Sequence, residues 1–137
     1  MQSKSSETKE GGVNENEISK KIIGAAIEVH KVLGNGLLES VYQKSLQQEL
    51  MLSSIACAIE IPVAANYKGI DLDIAYRMDM LVMDKVVVEL KVVEHVLPIH
   101  KAQLLSYLKL GNKRLGLLIN FNTPLLKNGV RRVVNNL

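Results

Sequence analysis

One run of this chain constrains its fold more than any other: Tyr76 to Val93, YRMDMLVMDKVVVELKVV. β-Branched and aliphatic residues fill both halves and Asp84-Lys85 interrupts them, which predicts two strands joined by a tight turn. The second half, Val86 to Val93, is apolar on both faces. That is the pattern of a strand covered on each side, so the chain must place one layer of structure above it and another below. Glu89 and Lys91 nonetheless stand in its middle. Alternation along a strand directs both to the same face as neighbours, so one face of an otherwise apolar strand carries charge.

The register of this hairpin depends on its loop. A three-residue loop, Met83-Asp84-Lys85, pairs Val82 with Val86, sets Asp79 against Glu89 and puts Arg77 opposite Lys91. A two-residue loop would send each such pair to opposite faces. The expectation is the three-residue loop.

The rest of the chain supplies the layers. Residues 1–14, MQSKSSETKEGGVN, are polar and without apolar periodicity, and the expectation is a disordered leader before a single domain over residues 15–137. Asn14 with Glu17 reads as a capping box, and Ile18, Ile22, Ala25, Ala26, Val29 and Leu33 recur at helical spacing up to Gly34. Leu37, Leu38, Val41, Tyr42, Leu46 and Leu50 predict a second helix ending near Ser53. Ser54 to Val63 reads as a strand, with Pro62 marking its end or an edge position. Lys68-Gly69 makes a turn into a long strand from Ile70 to Val82. Pro98 suits the first position of a third helix, with Gly111 closing it as the residue just past its end. Arg114 to Phe121 reads as a buried strand and Val130 to Val134 as a short last one. The order ααβββαβ(β), with a helical crossover after the third strand, predicts an α/β sandwich around a mixed sheet of four to five strands.

Bulk properties narrow the setting. The one cysteine, Cys57, has no partner for a disulfide, and no run approaches the ~20 apolar residues of a membrane span, so the expectation is a cytoplasmic protein without a membrane role. A net charge of +3 over 137 residues is compatible with a polyanionic partner without demanding one. His30, His95 and His100 fit no common zinc spacing. Gly34-Asn35-Gly36 follows a helix rather than a strand, which excludes a dinucleotide fingerprint.

Asp79, Glu89 and Lys91 together offer two carboxylates and an ammonium on adjacent strands. Carboxylates so close repel unless a cation relieves them, and a hard divalent ion such as Mg²⁺ or Mn²⁺ suits oxygen ligands. An ion held there polarises a phosphoryl oxygen and acidifies a bound water, the requirements of phosphodiester hydrolysis. The plainer alternative is a same-face ion pair on a solvated strand with Asp79 as an unrelated acid. Apolar flanks on both sides of Glu89 weigh against it.

These residues resemble a known family. Asp79 followed by Glu89-x-Lys91 is similar to the D…(D/E)xK core of the PD-(D/E)XK nuclease-like superfamily, and Gly36-Leu37-Leu38-Glu39-Ser40-Val41-Tyr42 matches the signature of its GxxExxY proteins. Tyr76-Arg77-Met78-Asp79 continues the match, and Gln103 to Tyr107 resembles the QxxxY helix of the RecB-type branch. The resemblance runs from about Asn16 to the C-terminus and departs only in having Met78 where proline is familiar. It implies a restriction-endonuclease-like fold and a metal-dependent nuclease acting on DNA or RNA. Asp79, Glu89, Glu39 and the Leu90 carbonyl would hold Mg²⁺ or Mn²⁺, and Lys91 would serve the attacking water. Gln103, Tyr107, Arg77 and Tyr42 would orient the site or touch nucleic acid, although Gln103 and Tyr107 also suit a helix-surface hydrogen bond, and Arg77 a structural salt bridge. A catalytically silent nuclease fold used for binding is the other reading. A domain this small has limited surface for a duplex, so a homodimer or a partner protein is expected.

Overall fold

The computed structural model describes residues 14–137; all but the last residue of the expected leader lies outside them. Helix α1, Glu15–Leu33, begins on the expected capping box. The Asn14 side chain accepts the Glu17 N–H at 2.9 Å, and the Glu17 carboxylate accepts the Asn14 N–H at 3.2 Å. Reciprocal caps of this kind stabilise a helix by about 1 kcal/mol. Its buried stripe is Ile18, Ile22, Ala26 and Val29, and Gly34 ends it at φ 70, a conformation open to glycine. Helix α2, Glu39–Leu52, buries Tyr42, Gln43, Leu46 and Leu50.

Five strands form one sheet in chain order: β1 Cys57–Tyr67, β2 Ile70–Val82, β3 Val86–Lys91, β4 Leu115–Asn120 and β5 Val130–Val134. β3 and β4 are parallel and the other pairs antiparallel, so the sheet is mixed. Helix α3, Pro98–Gly111, makes the crossover, and a 3-10 turn, Leu126–Gly129, precedes β5. Helices α1 and α2 cover one face, packing on Met80, Val82, Val86, Val88 and Leu90. Helix α3 covers the other, its Leu104, Tyr107 and Leu108 packing on Val63, Met78, Val87 and Leu118. β3 and β4 are thus covered on both sides, as an all-apolar strand requires.

Of the boundaries that differ from the sequence expectation, three have a physical reason in the fold. β1 runs four residues past Val63, because it is an edge strand on which Pro62 needs no second neighbour. β3 stops at Lys91 rather than Val93, because the buried Asn120 side chain takes over: its Oδ1 accepts the Val93 N–H at 3.1 Å and its Nδ2 donates to the Val93 carbonyl at 2.8 Å. Gly111 lies inside α3, and Asn112 takes the left-handed turn at φ 55. A Cβ on Gly111 would come within 2.7 Å of the Met78 methyl, the flexible end of that side chain, so a larger residue here would make Met78 shift. Among the described residues no helix is long and apolar enough to cross a membrane.

Candidate active site

The chemistry gathers where the sheet breaks. The β1–β2 ladder runs from Cys57↔Val82 to Ile59↔Met80, omits one residue on each strand, and resumes at Ile61↔Met78. The omitted residues are Glu60 and Asp79. Glu60 is left-handed at φ 57, a region that residues bearing a Cβ seldom occupy. Across this break the ribbon turns over: Ile59 and Met80 pack with α1 and α2, whereas Ile61 and Met78 pack with α3. In an unbroken strand residues two apart share a face.

β3 does not follow the turn. The three-residue loop and the pair Val82↔Val86 are present, but the β2–β3 ladder ends at Met80↔Val88, and β3 continues beside β4 to Lys91↔Asn120. The expected pairs Asp79 with Glu89 and Arg77 with Lys91 therefore do not form, because β2 has left with β1. Asp79 Oδ2 instead accepts the Leu90 N–H at 2.9 Å. An extended residue sends its N–H and C=O to the same edge, so the Leu90 carbonyl also faces the opened side. The break leaves a cleft of about 210 Å³ lined by Glu39, Ser40, Gln43, Glu60, Asp79 and Leu90.

Glu89 is the anomalous group. It is 8% exposed, shares the α3 side of the sheet with Val87 and Lys91, and its Oε1 has no hydrogen-bond partner among the described residues. An orphaned buried oxygen of this kind costs about 1–3 kcal/mol or more if charged. Burial, then the Asp79 charge, push its carboxyl up to about 8 against the pull of Lys91. Burial raises Asp79 too, opposed by the Leu90 hydrogen bond and reinforced by the Glu39 charge. Tyr107, tilted against Tyr76 at 5.7 Å between ring centroids, is raised by burial and then by Glu89 and Asp79. Asp79 and Glu89 thus each feel the charges of Glu39 and Lys91, and both act on Tyr107. No group of three or more His, Cys, Asp or Glu side chains among the described residues is already drawn together as a metal cage.

The remaining expected residues separate. Tyr42 is fully buried, stacked on Phe121 at 4.4 Å, so it cannot touch a nucleic acid. Its hydroxyl donates to the Gly34 carbonyl at 2.5 Å and accepts the Leu37 N–H at 3.3 Å, fixing the loop that delivers Glu39 to the first turn of α2. Gln103 is exposed on α3 one turn before the buried Tyr107. Arg77 donates to Glu60 Oε1 at 2.8 Å rather than to Glu89. His30 lies outside the cleft, its Nε2 within 2.8 Å of the Thr123 carbonyl and 3.0 Å of Asn35 Oδ1, where it ties α1 to the segment after β4. Cys57 is half-buried, its thiol pushed up to about 11 by burial.

Sequence reading missed Gln43 and Glu60. Gln43 is buried, and its Nε2 donates both to Glu60 Oε2 at 2.9 Å and to the Asp79 carbonyl at 3.0 Å. The hydrogen bond from Gln43, then that from Arg77, hold Glu60 below the usual carboxylate range. The one available signal was a glutamine one position after Tyr42, on the stripe of α2 that must be buried.

The sequence pattern of the family described as the PD-(D/E)XK nuclease superfamily matches residues 16–133. No curated protein matches the chain. Among solved structures, the crystal structure of SSO0001 shares the fold, with TM-score 0.55 over 93% of this chain and 80% of that one at 16% identity.

Proposed function

This chain belongs to the PD-(D/E)XK nuclease superfamily, and from that premise we propose that it hydrolyses phosphodiester bonds of DNA or RNA with a bound Mg²⁺ or Mn²⁺. The observation that carries the reading is Glu89: a carboxylate on a strand covered from both sides, one oxygen without a partner among the described residues, beside a second carboxylate whose charge it resists. A polar group buried in that state needs a reason, and a divalent cation supplies the missing partner while removing the repulsion.

Asp79, Glu89 and the Leu90 carbonyl would hold the ion, with Glu39 approaching from the start of α2. When bound, the ion supplies positive charge against the phosphate and acidifies a water. The chain's own residues do the rest. Lys91, half-buried on the face of Glu89, orients the attacking water and balances the charge that develops. Tyr107 closes the α3 side beside Tyr76, and Gln103, one turn away and exposed, is placed to meet the nucleic-acid backbone. The Gly36 to Tyr42 run supports a place in the GxxExxY branch, and in this chain Tyr42 would act by fixing the loop ahead of Glu39.

The test is cleavage of labelled single- and double-stranded DNA and RNA with Mn²⁺, run beside calorimetric Mn²⁺ titration. Wild type should bind and cleave, Lys91→Ala should bind and not cleave, and Asp79→Ala should do neither. Cleavage that persists in Lys91→Ala sinks the assignment of the activity to this site. A wild-type protein that binds no divalent ion leaves the fold as a binding module.

A further inference from the structure

The proposed site depends on an interruption that nothing in the D…ExK pattern explains. Asp79 reaches the Leu90 N–H only because its peptide has left the β1–β2 ladder, and the residue across from it, Glu60, adopts a backbone conformation that glutamate does not favour. Strained conformations of this kind persist when the surroundings hold them from several directions. The surroundings are on view. Glu60 Oε2 accepts from Gln43 Nε2 at 2.9 Å, Glu60 Oε1 accepts from Arg77 Nη1 at 2.8 Å, and the same Gln43 amide donates to the Asp79 carbonyl at 3.0 Å. Gln43 takes the place at that carbonyl that a strand neighbour would hold.

We propose that Glu60 is a positioning residue for the carboxylate site. With its left-handed backbone it interrupts β1, and with its carboxylate it aims the buried Gln43 amide at the Asp79 peptide, so that Asp79 turns out of the ladder and meets Leu90 across the opened strands. Neither oxygen of Glu60 is left without a partner, which distinguishes it from Glu89: Glu60 holds the frame and Glu89 awaits a ligand. The inference rests on the metal reading for its purpose, but its geometry stands in the metal-free protein.

Two variants separate the alternatives. Glu60→Gly keeps the left-handed backbone, which glycine favours, and removes both acceptors. Glu60→Gln keeps an acceptor for Gln43 and loses the charge. The first readout is amide hydrogen exchange in the metal-free protein, with Val88, which lies within the ladder, as internal reference for Leu90. Glu60→Gly should speed exchange at Leu90 relative to Val88 without lowering Tm, and Glu60→Gln should leave it protected. The second readout is Mn²⁺ affinity, expected to weaken roughly tenfold or more in Glu60→Gly, as for the loss of a group that orients a ligand, and less than threefold in Glu60→Gln. Unchanged Leu90 protection in Glu60→Gly overturns the proposal. So does a loss in Glu60→Gln equal to that in Glu60→Gly, because the charge rather than the hydrogen bond would then be at work. Altered Leu90 exchange in a protein that binds no Mn²⁺ upholds the positioning role while removing the metal reading.

Discussion

Two glutamates near the break receive opposite treatment. Glu60, on the edge strand, is exposed, bonded at both oxygens and held ionised. Glu89, on a covered strand, is buried, has an oxygen without a partner among the described residues and is pushed up to about 8. Proximity to Asp79 is common to both and cannot explain the contrast. The difference is whether the fold satisfies the group itself or leaves it for something else. A folded chain that can satisfy a glutamate with an arginine and an amide, as it does at Glu60, has the means to do so at Glu89; that it does not is what the proposed ligand role of Glu89 rests on.

The sharpest way to break the comparison is to neutralise each glutamate in turn. Glu89→Gln should abolish Mn²⁺ binding and lower cleavage by roughly 10²–10³-fold or more, the scale of losing a group that stabilises developing charge. The same exchange at Glu60 should leave most of both. If the two variants behave alike in calorimetry and cleavage, the division into frame and ligand fails.

The next largest effect is in stability against pH. The folded Glu89 titrates near 8 and the unfolded one near the ordinary 4.5, so the folded state binds the proton more tightly. The associated stability is complete below about pH 4.5, declines as pH rises, and is gone above about pH 8. A shift of this size amounts to on the order of 5 kcal/mol across that window, and Asp79, also raised, adds in the same direction. Metal-free protein should therefore lose Tm steadily between pH 5 and 8.5. Glu89→Gln should flatten the profile, and saturating Mn²⁺ should flatten it in wild type. A metal-free profile as flat as that of the variant would mean that Glu89 has found a partner.

A satisfied polar group elsewhere provides a calibration. Tyr42 is as deeply buried as any residue here, and its hydroxyl bonds the Gly34 carbonyl and the Leu37 N–H. Tyr42→Phe keeps the stack on Phe121 and strands both backbone groups, so it should cost about 1–2 kcal/mol and a few degrees of Tm at every pH. A pH-independent loss is what separates a structural hydrogen bond from the titrating burial of Glu89.

Much of this was legible in the chain because the local rules agreed. The capping box at Asn14 and Glu17, the Val82↔Val86 register and the misplaced charge of Glu89 each follow from spacing, and each is present. What failed to show is where the ladder ends. The expected pairing of Asp79 with Glu89 extended a correct register two strands wide, but the break also involves a third strand, at Glu60, and the side chain of Gln43 on α2, which donates to the Asp79 carbonyl. Neither residue advertises that role: glutamate is not a left-handed residue by type, and a glutamine on a buried helix stripe does not say which carbonyl it will meet. Gly111 misled for the related reason that a glycine in the last turn of a helix resembles one in the turn that follows it.

The smallest expected effect falls on Arg77. Its guanidinium meets Glu60 at 2.8 Å, yet the two side chains are 69% and 43% exposed. An ion pair that wet is screened by water and salt and opposed by the entropy of holding two long side chains. Arg77→Ala should therefore leave Tm unchanged within error, and Leu90 should stay protected from exchange, since Gln43 continues to bond both Glu60 and the Asp79 carbonyl. A marked fall in Leu90 protection on losing Arg77 would move the control of the break from the buried amide to the surface ion pair. Glu60 would then be held from outside the cleft, where a substrate phosphate competing for Arg77 would loosen it.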